Sequence, residues 1–278
     1  VNNAVDLSIR QFCEAWRLMC RGYPGQHMAA GAGIEYIFSG LPIGFFNAAI
    51  LTAQSISGEA LRAYGHEARA WAGGKAVPWL FVITHEELEA GVDASSILDG
   101  CGLAPVMPLT GMFAQQVSAG TTTSPDSLQN PDNLQLPDDL QLTVPQDDAG
   151  CSAVLDVNSI AYAVDLSSAK PVIGTRAFWH DHVPVLGTVG GAPVSSATVL
   201  MVDGYRYVAL VATDPAHQRR GYAEAAMRRA LEVAATAHGA QPTVLHATEA
   251  GRPVYQRMGY TPISTHTLFM DKAFLGGH

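Results

Sequence analysis

The sequence predicts an α/β (α+β) protein built in two similar halves, and three observations carry that reading. Residues 140–270 alternate β-branched runs with one long, Ala-rich helical pattern. Residues 45–113 repeat the same order of strand, helix, strand, short helix and strand, more faintly. Between them runs a polar segment, residues 118–150, that holds six acids (Asp126, Asp132, Asp138, Asp139, Asp147, Asp148) and no Lys or Arg.

In the first half, residues 45–52 read as a strand and 57–71 as a helix closed by Gly73 and Gly74. Residues 79–84 read as a strand, 95–101 as a short helix stopped by Gly102, and 105–113 as the last strand. Residues 36–58 carry no charge over 23 positions. Gly40, Pro42, Gly44 and Asn47 interrupt that run, and Leu41-Pro42 breaks it in two, so a hairpin is expected rather than a membrane span.

In the polar segment a hexad begins at Pro125, Pro131 and Pro137. A proline at every sixth position blocks both ladder hydrogen bonds and helix interiors, and three copies cannot bury a core of their own. Residues 118–138 are therefore expected to be a semi-extended linker between a domain at 1–117 and a second at 139–278.

The second domain reads as strand 140–144, helix 152–164, strand 183–189 and a turn at Gly190-Gly191. Strands 194–202 and 205–213 flank the hairpin signal Asp203-Gly204. Residues 221–238 form the clearest helix, with Met227, Ala230, Leu231 and Ala234 at helical spacing and Gly239 as its stop. Strand 243–247, a short helix at 252–258 ended by Gly259, and strand 262–270 follow. Set against one another, the halves pair Thr52 with Thr213, Gly102 with Gly259, Leu103 with Tyr260, Pro105 with Pro262 and Thr110 with Thr267. Divergent duplication accounts for this.

Composition narrows the function. Of 278 residues 48% are hydrophobic and only 15% charged, which is ample for a buried core. The net charge of −9 disfavours nucleic acid as a partner, because phosphate contacts need a basic surface. Cys13, Cys20, Cys101 and Cys151 show no CxxC spacing and no His at metal-ligand intervals. Reduced, mostly buried thiols in a cytoplasmic protein are expected, with no metal. Val1-Asn2-Asn3-Ala4 has neither a basic nor an apolar leader region, so no signal peptide is expected.

Chemistry concentrates between Val211 and Ala223. The chain leaves a strand through Val211-Ala212-Thr213-Asp214-Pro215 and enters a helix through Gln218-Arg219-Arg220-Gly221-Tyr222-Ala223. Small residues at 221 and 223 let a ligand approach the backbone, and the first helical amides lack partners within the helix. Amides and helix dipole together make an anion site suited to a pyrophosphate. Arg219 and Arg220 add charge there, and seven of the thirteen arginines fall between Arg206 and Arg257.

Gln218-x-x-Gly221-x-Ala223, between a strand and an Ala-rich helix, resembles the acetyl-CoA pyrophosphate loop of the GNAT superfamily of N-acetyltransferases. Val254-Tyr255-Gln256-Arg257-Met258-Gly259-Tyr260 is similar to that family's Tyr-x-x-x-Gly-(Phe or Tyr) signature. The resemblance spans about 140–270. It implies two GNAT-like halves in tandem, each a mixed, mostly antiparallel sheet flanked by helices. It also implies acetyl-CoA as co-substrate and a small-molecule primary amine as acceptor. Backbone groups of Leu210, Val211 and Thr213 would bond the pantetheine arm and hold the acetyl carbonyl. Amides from Gln218, Arg219, Arg220, Gly221, Tyr222 and Ala223 would wrap the pyrophosphate, with an Arg near the 3′-phosphate, and Thr248 would touch the cofactor arm. Tyr255 would protonate the departing thiolate, as general acid.

The strand before the loop lacks the Glu that some relatives use as a base, so His246 or Glu249 is expected to serve. Trp179 lies where relatives line the acceptor pocket, and Phe46 and Asn47 are candidates to shape that pocket from the first half. The same strand is equally suited to contact with another subunit, which leaves a homodimer open. The first half reads Ala53-Gln54-Ser55-Ile56-Ser57-Gly58-Glu59 where the loop should repeat, and Leu98 where Tyr255 should. It is read as degenerate. Peptide acetylation, or CoA binding without turnover, are the alternatives to a small-molecule acetyltransferase.

Overall fold

The computed structural model of the chain describes residues 3–117 and 139–275, so the expected linker at 118–138 lies outside it. Helix α1 (Asn3–Cys20) leads to strands β1 (His27–Gly31) and β2 (Ile34–Phe38), then, after a 3-10 turn at Gly44–Phe46, to β3 (Asn47–Leu51). Helix α2 (Gly58–Ala72), β4 (Leu80–Thr84), α3 (Ala94–Gly100) and β5 (Leu103–Ala114) follow. Past the linker come β6 (Gln141–Thr143), α4 (Asp148–Tyr162), α5 (Lys170–Ile173), β7 (Val183–Val189), β8 (Ala192–Val202) and β9 (Tyr205–Thr213). Helix α6 (Tyr222–His238), β10 (Thr243–Ala247), α7 (Arg252–Arg257) and β11 (Thr261–Asp271) complete the order.

The expected strands at 183–189, 205–213 and 243–247 have these bounds in the structure. The uncharged stretch 36–58 holds an antiparallel pair, with Phe38 opposite Asn47. Among the described residues no helix is long and apolar enough to cross a membrane. The strand expected from 45 begins at Asn47, because Phe46 N bonds Ile43 O at 2.9 Å and closes a turn first. Helix α1 and strand β1 were not among the expected elements. α1 buries Val5, Ile9, Phe12, Ala15 and Met19, a three- and four-residue spacing.

Contacts divide the described chain into two compact units, and the division does not follow the sequence. The first unit takes the chain as far as Met112, then His246–Ala250 and the segment from Pro262; the second takes Phe113–Leu245 and Gly251–Thr261. In the first unit the strand order is β1-β2-β3-β4-β11-β5. Strands β3 and β4 are parallel, whereas β11 runs antiparallel to β4 with His266 opposite Thr84 and Met270 opposite Leu80. Phe269 of β11 is thereby buried with Ile34, Phe38, Leu51, Trp79, Phe81 and Leu98. Beyond it, Asp271 Oδ2 accepts from Arg69 Nε at 2.9 Å, and Lys272 N bonds Gly102 O at 3.0 Å.

The second unit orders its strands β10-β9-β8-β7-β6. The pairs from β6 to β9 are antiparallel, and β9 and β10 are parallel. Helix α4 packs Val154 and Val157 against Leu186 and Ala212, and Tyr222 and Ala225 of α6 bury Leu140 and Val194. The four cysteines are free and buried.

A buried polar chain crosses the first unit. Thr84 Oγ1 lies 3.0 Å from His266 Nδ1, His266 Nε2 lies 2.8 Å from Ser264 Oγ, Ser264 donates to Ser8 Oγ at 2.6 Å, and Ser8 Oγ lies 3.0 Å from His246 Nε2. Since the Ser264 proton goes to Ser8, a continuous chain needs His266 to donate from Nε2 and Ser8 to donate to His246. Both imidazoles are then neutral. Burial pushes His246 well below its ordinary value, and burial with the nearby His85 pushes His266 down to about 3.

Two outcomes follow from this packing. A Cβ at Gly111 would fall 2.1 Å from Ser264 Oγ and 2.2 Å from Ser8 Oγ. Gly111→Ala is therefore expected to destabilise the first unit by about 1–3 kcal/mol, read as a lower midpoint in thermal or urea unfolding. The histidines bind protons more readily unfolded than folded, so their contribution is complete above the unfolded value near 6.5. It is lost as pH falls from there toward the folded value of about 3. Urea unfolding at pH 7 and pH 5 should show the lower stability at pH 5, and a His266→Gln variant that folds should lose part of that difference.

Candidate active site

Strand β9 is regular until it meets β8 at a bulge. Thr198 of β8 opposes Ala209 and Ser196 opposes Ala212, so the single residue Ala197 faces both Leu210 and Val211. Leu210 absorbs the insertion with φ of +48°, a left-handed conformation that costs a non-glycine residue about 1–2 kcal/mol. Within the second unit β10 pairs with β9 at Arg206 and Tyr207, so the bulged residues lie beyond that ladder.

From the bulge the chain runs into the loop. Asp214 Oδ1 accepts from Ala216 N at 2.8 Å, and a 3-10 turn at Pro215–His217 reverses the direction. Gln218, Arg219 and Arg220 are exposed. Arg219 at φ +62° and Gly221 at φ +81° then deliver the chain to α6. A Cβ at Gly221 would meet nothing within 4 Å, so only the backbone angle requires glycine there. No side chain caps α6, and its first amides are left for another acceptor. Glu224, in the first turn, would repel an anion. Its carboxylate is bonded to Arg228 at 2.8 Å and lies 3.6 Å from Arg257.

The corresponding helix of the first half is closed. Ser57 Oγ caps α2 by accepting from Ala60 N at 3.2 Å, and Glu59 occupies its first turn. Leu98, the counterpart of Tyr255, is fully buried apolar core.

Tyr255 stands on α7 with its ring 6.1 Å from that of Tyr260. Burial, with smaller effects from the phenols of Tyr162 and Tyr260, raises its pKa above the ordinary tyrosine value. It keeps its proton at neutral pH. Tyr260 is locked by a 2.8 Å bond to Thr243 Oγ1, which fixes the wall that Tyr255 packs on.

The structure thus gathers Leu210, Val211, Thr213, the loop from Gln218 to Ala223 and Tyr255 into the second unit. Tyr222 enters this set through its backbone alone. Its ring is 1% exposed, and its hydroxyl donates to Asp139 Oδ2 at 2.6 Å. Thr248, Glu249 and His246 belong to the first unit. His246 there joins the polar chain through Nε2, 3.0 Å from Ser8 Oγ. Trp179 is a correction. It is fully buried with its indole N–H bonded to Ile173 O at 2.8 Å, so it builds core and lines no pocket. Asn47 is likewise structural: its buried amide donates to the carbonyls of Leu41, Ile43 and Pro78. Phe46, 5% exposed, packs edge-on to Tyr23.

Sequence reasoning missed Asn158 and Tyr162 on α4. Asn158 Nδ2 lies 2.9 Å from Ser196 Oγ and 3.4 Å from Leu210 O, and Tyr162 donates to Val211 O at 2.7 Å. The available signal was the pair Ser195-Ser196 in an otherwise apolar strand, since hydroxyls buried there must find acceptors.

Residues 155–260 match the model of the acetyltransferase (GNAT) family. Among solved structures the chain is similar to a GCN5-related N-acetyltransferase from Kribbella flavida, with a TM-score of 0.67 and 17% identity over 98% of this chain and 97% of that one. It is also similar to a GCN5-related N-acetyltransferase-like protein from Streptococcus suis, with a TM-score of 0.55 and 10% identity over 92% and 98%. A tandem GNAT protein from the clavulanic acid biosynthesis pathway aligns with a TM-score of 0.52 and 12% identity over 95% and 94%. At these identities the likeness is one of fold. No curated protein matches the chain in sequence.

Asp139 places a carboxylate beside the loop, 3.8 Å from Arg220 and bonded to Tyr222. An anion binding at the start of α6 competes with it for Arg220. Asp139→Asn should tighten binding of a pyrophosphate probe by about two- to fivefold, the range for an exposed charge pair, with a steeper salt dependence in titration calorimetry, because the loop is then more positive.

Proposed function

We propose, from the match of residues 155–260 to the acetyltransferase (GNAT) family model, that the chain is an N-acetyltransferase acting on a small-molecule primary amine with acetyl-CoA as donor. The observation that carries this reading is the uncapped start of α6 directly after a bulged strand. The donor set fits a pyrophosphate: helical amides without a side-chain cap, exposed Arg219 and Arg220, and a left-handed glycine that leaves room at the backbone.

Acetyl-CoA supplies an activated thioester. Leu210 and Val211 present backbone amides to the acyl carbonyl, where negative charge develops during attack, and preorganised donors of this kind are typically the largest contribution. Tyr255 gives its proton to the leaving sulfur. A phenol is a weaker acid than a thiol, and burial weakens it further, so acidity does not drive that transfer. Proximity and the strand amides then supply most of the acceleration. An alkylamine at neutral pH is about 0.1% unprotonated, a deficit of roughly 4 kcal/mol. Water relays can meet a deficit of that size, and no dedicated base is invoked. The first half, with its helix capped by Ser57 and Leu98 in place of a phenol, supports a tandem arrangement in which that half does not acetylate.

The test is thiol release from acetyl-CoA across aminoglycosides, polyamines, amino acids, aryl amines and short peptides. Turnover with one small-amine class is expected. Turnover with peptides alone would replace the acceptor, and binding without release on any of them would replace the enzyme by a sensor. Tyr255→Phe should slow transfer at least about tenfold while acetyl-CoA binds as before. Equal rates would remove the phenol from the mechanism.

A further inference from the structure

Four consecutive carbonyls of the bulged strand are held by side-chain hydroxyls. Ala209 O accepts from Thr198 at 2.8 Å, Leu210 O from Ser196 at 3.1 Å, Val211 O from Tyr162 at 2.7 Å and Ala212 O from Ser195 at 2.9 Å. The bulge shifts the register between the strands, and these hydroxyls restore acceptor satisfaction where the ladder is disturbed. Three of them come from β8. The fourth comes from α4, where Tyr162 follows Asn158 by one helical turn. Asn158 in turn bonds Ser196.

A peptide unit is planar and trans, so fixing a carbonyl fixes the next amide to point the opposite way. Holding Leu210 O therefore aims Val211 N–H, and holding Val211 O aims Ala212 N–H. Leu210 sits in a conformation that persists only when its surroundings over-determine it. Tyr162 holds the peptide plane that follows Val211, and with Leu210 O held on the other side the residue keeps the φ and ψ that set its amide.

We propose that Tyr162 is a positioning residue for acyl transfer, pinning the Val211 carbonyl so that Val211 keeps the backbone conformation that aims its amide at the acyl group. This rests on the reading above that those amides receive the thioester carbonyl. A purely structural role fits poorly. Tyr162 is 52% exposed at the last position of α4, where the following Ala163 already turns left-handed. Its ring buries little, and an exposed hydrogen bond adds little to stability.

Tyr162→Phe removes one hydroxyl and nothing else. Steady-state kinetics with an amine that the wild type acetylates should show kcat reduced about tenfold, the KM for acetyl-CoA within about twofold, and an unchanged melting temperature. Carbon-13 NMR of acetyl-CoA labelled at the carbonyl reads the same effect without turnover. The bound carbonyl resonance should shift downfield in the wild type and return toward its free position in the variant. Ile160→Ala, an exposed neighbour on α4, should match the wild type in both readouts. Unchanged kcat and resonance in Tyr162→Phe would overturn the proposal, as would a loss of kcat accompanied by a proportional loss of acetyl-CoA affinity and a lower melting temperature. A wild type that neither binds nor consumes acetyl-CoA would overturn the proposed function itself, and the two failures are thereby distinct.

Discussion

A strand that takes in one extra residue loses register with its neighbour, and its carbonyls must find donors elsewhere or be buried unpaired. This constraint at Leu210 organises the second unit. It explains why β8 carries Ser195, Ser196 and Thr198 among Val and Ala, and why α4 turns Asn158 and Tyr162 toward the sheet. Each carbonyl served from β8 would cost about 1–3 kcal/mol if buried unpaired, as much as the left-handed residue itself, while the exposed Tyr162 bond adds little. The strain is affordable only with the hydroxyls in place. A polar inner surface on β8 and a bulged β9 are therefore one feature, and the loop that follows inherits its starting direction from it.

Much of this fold was legible because its signals are local. Alternation in 183–189 and 205–213, the Ala-rich period of α6, and Asp203-Gly204 between two strands each specify an element within a dozen residues. The loop's turn into α6 was legible because Gly221 supplies a left-handed backbone at the helix start. The partners of the bulge were not. Asn158 lies 52 positions from Leu210, and Tyr162 lies 49 from Val211. No local pattern marks either. Trp179 and Asn47 were misread for a related reason. A large aromatic or an amide near a strand end looks the same in sequence whether it faces a ligand or the carbonyls of its own turn, as Asn47 does.

The first unit is completed by a strand distant in sequence. Strand β11 lies between β4 and β5, and its Phe269 belongs to the same buried cluster as Ile34 and Trp79. Arg69 joins Asp271 across 202 positions, and Ser8 meets Ser264 across 256. Contacts of that separation carry a large loop-closure entropy and form late. Residues as far as Met112 therefore cannot complete their own sheet. The stability of the unit is tied to β11. A repeat visible in sequence has been folded into a body that neither half encodes alone.

An anion site on a chain of net charge −9 has to be made locally, because the long-range field opposes it. Screening confines that opposition to about 10 Å at ordinary ionic strength, so the residues that matter are those around the loop itself. Glu224 is neutralised there by Arg228 and Arg257, and Asp139 by Arg220 and the hydroxyl of Tyr222. Arg219 and the open amides of α6 add positive charge there. The matching point of the first half has the reverse balance, with Glu59 in the first turn and Ser57 already occupying an amide. Between two helices of similar length and place, a single capping serine and the partners of one glutamate decide which start keeps its first amides without a side-chain cap.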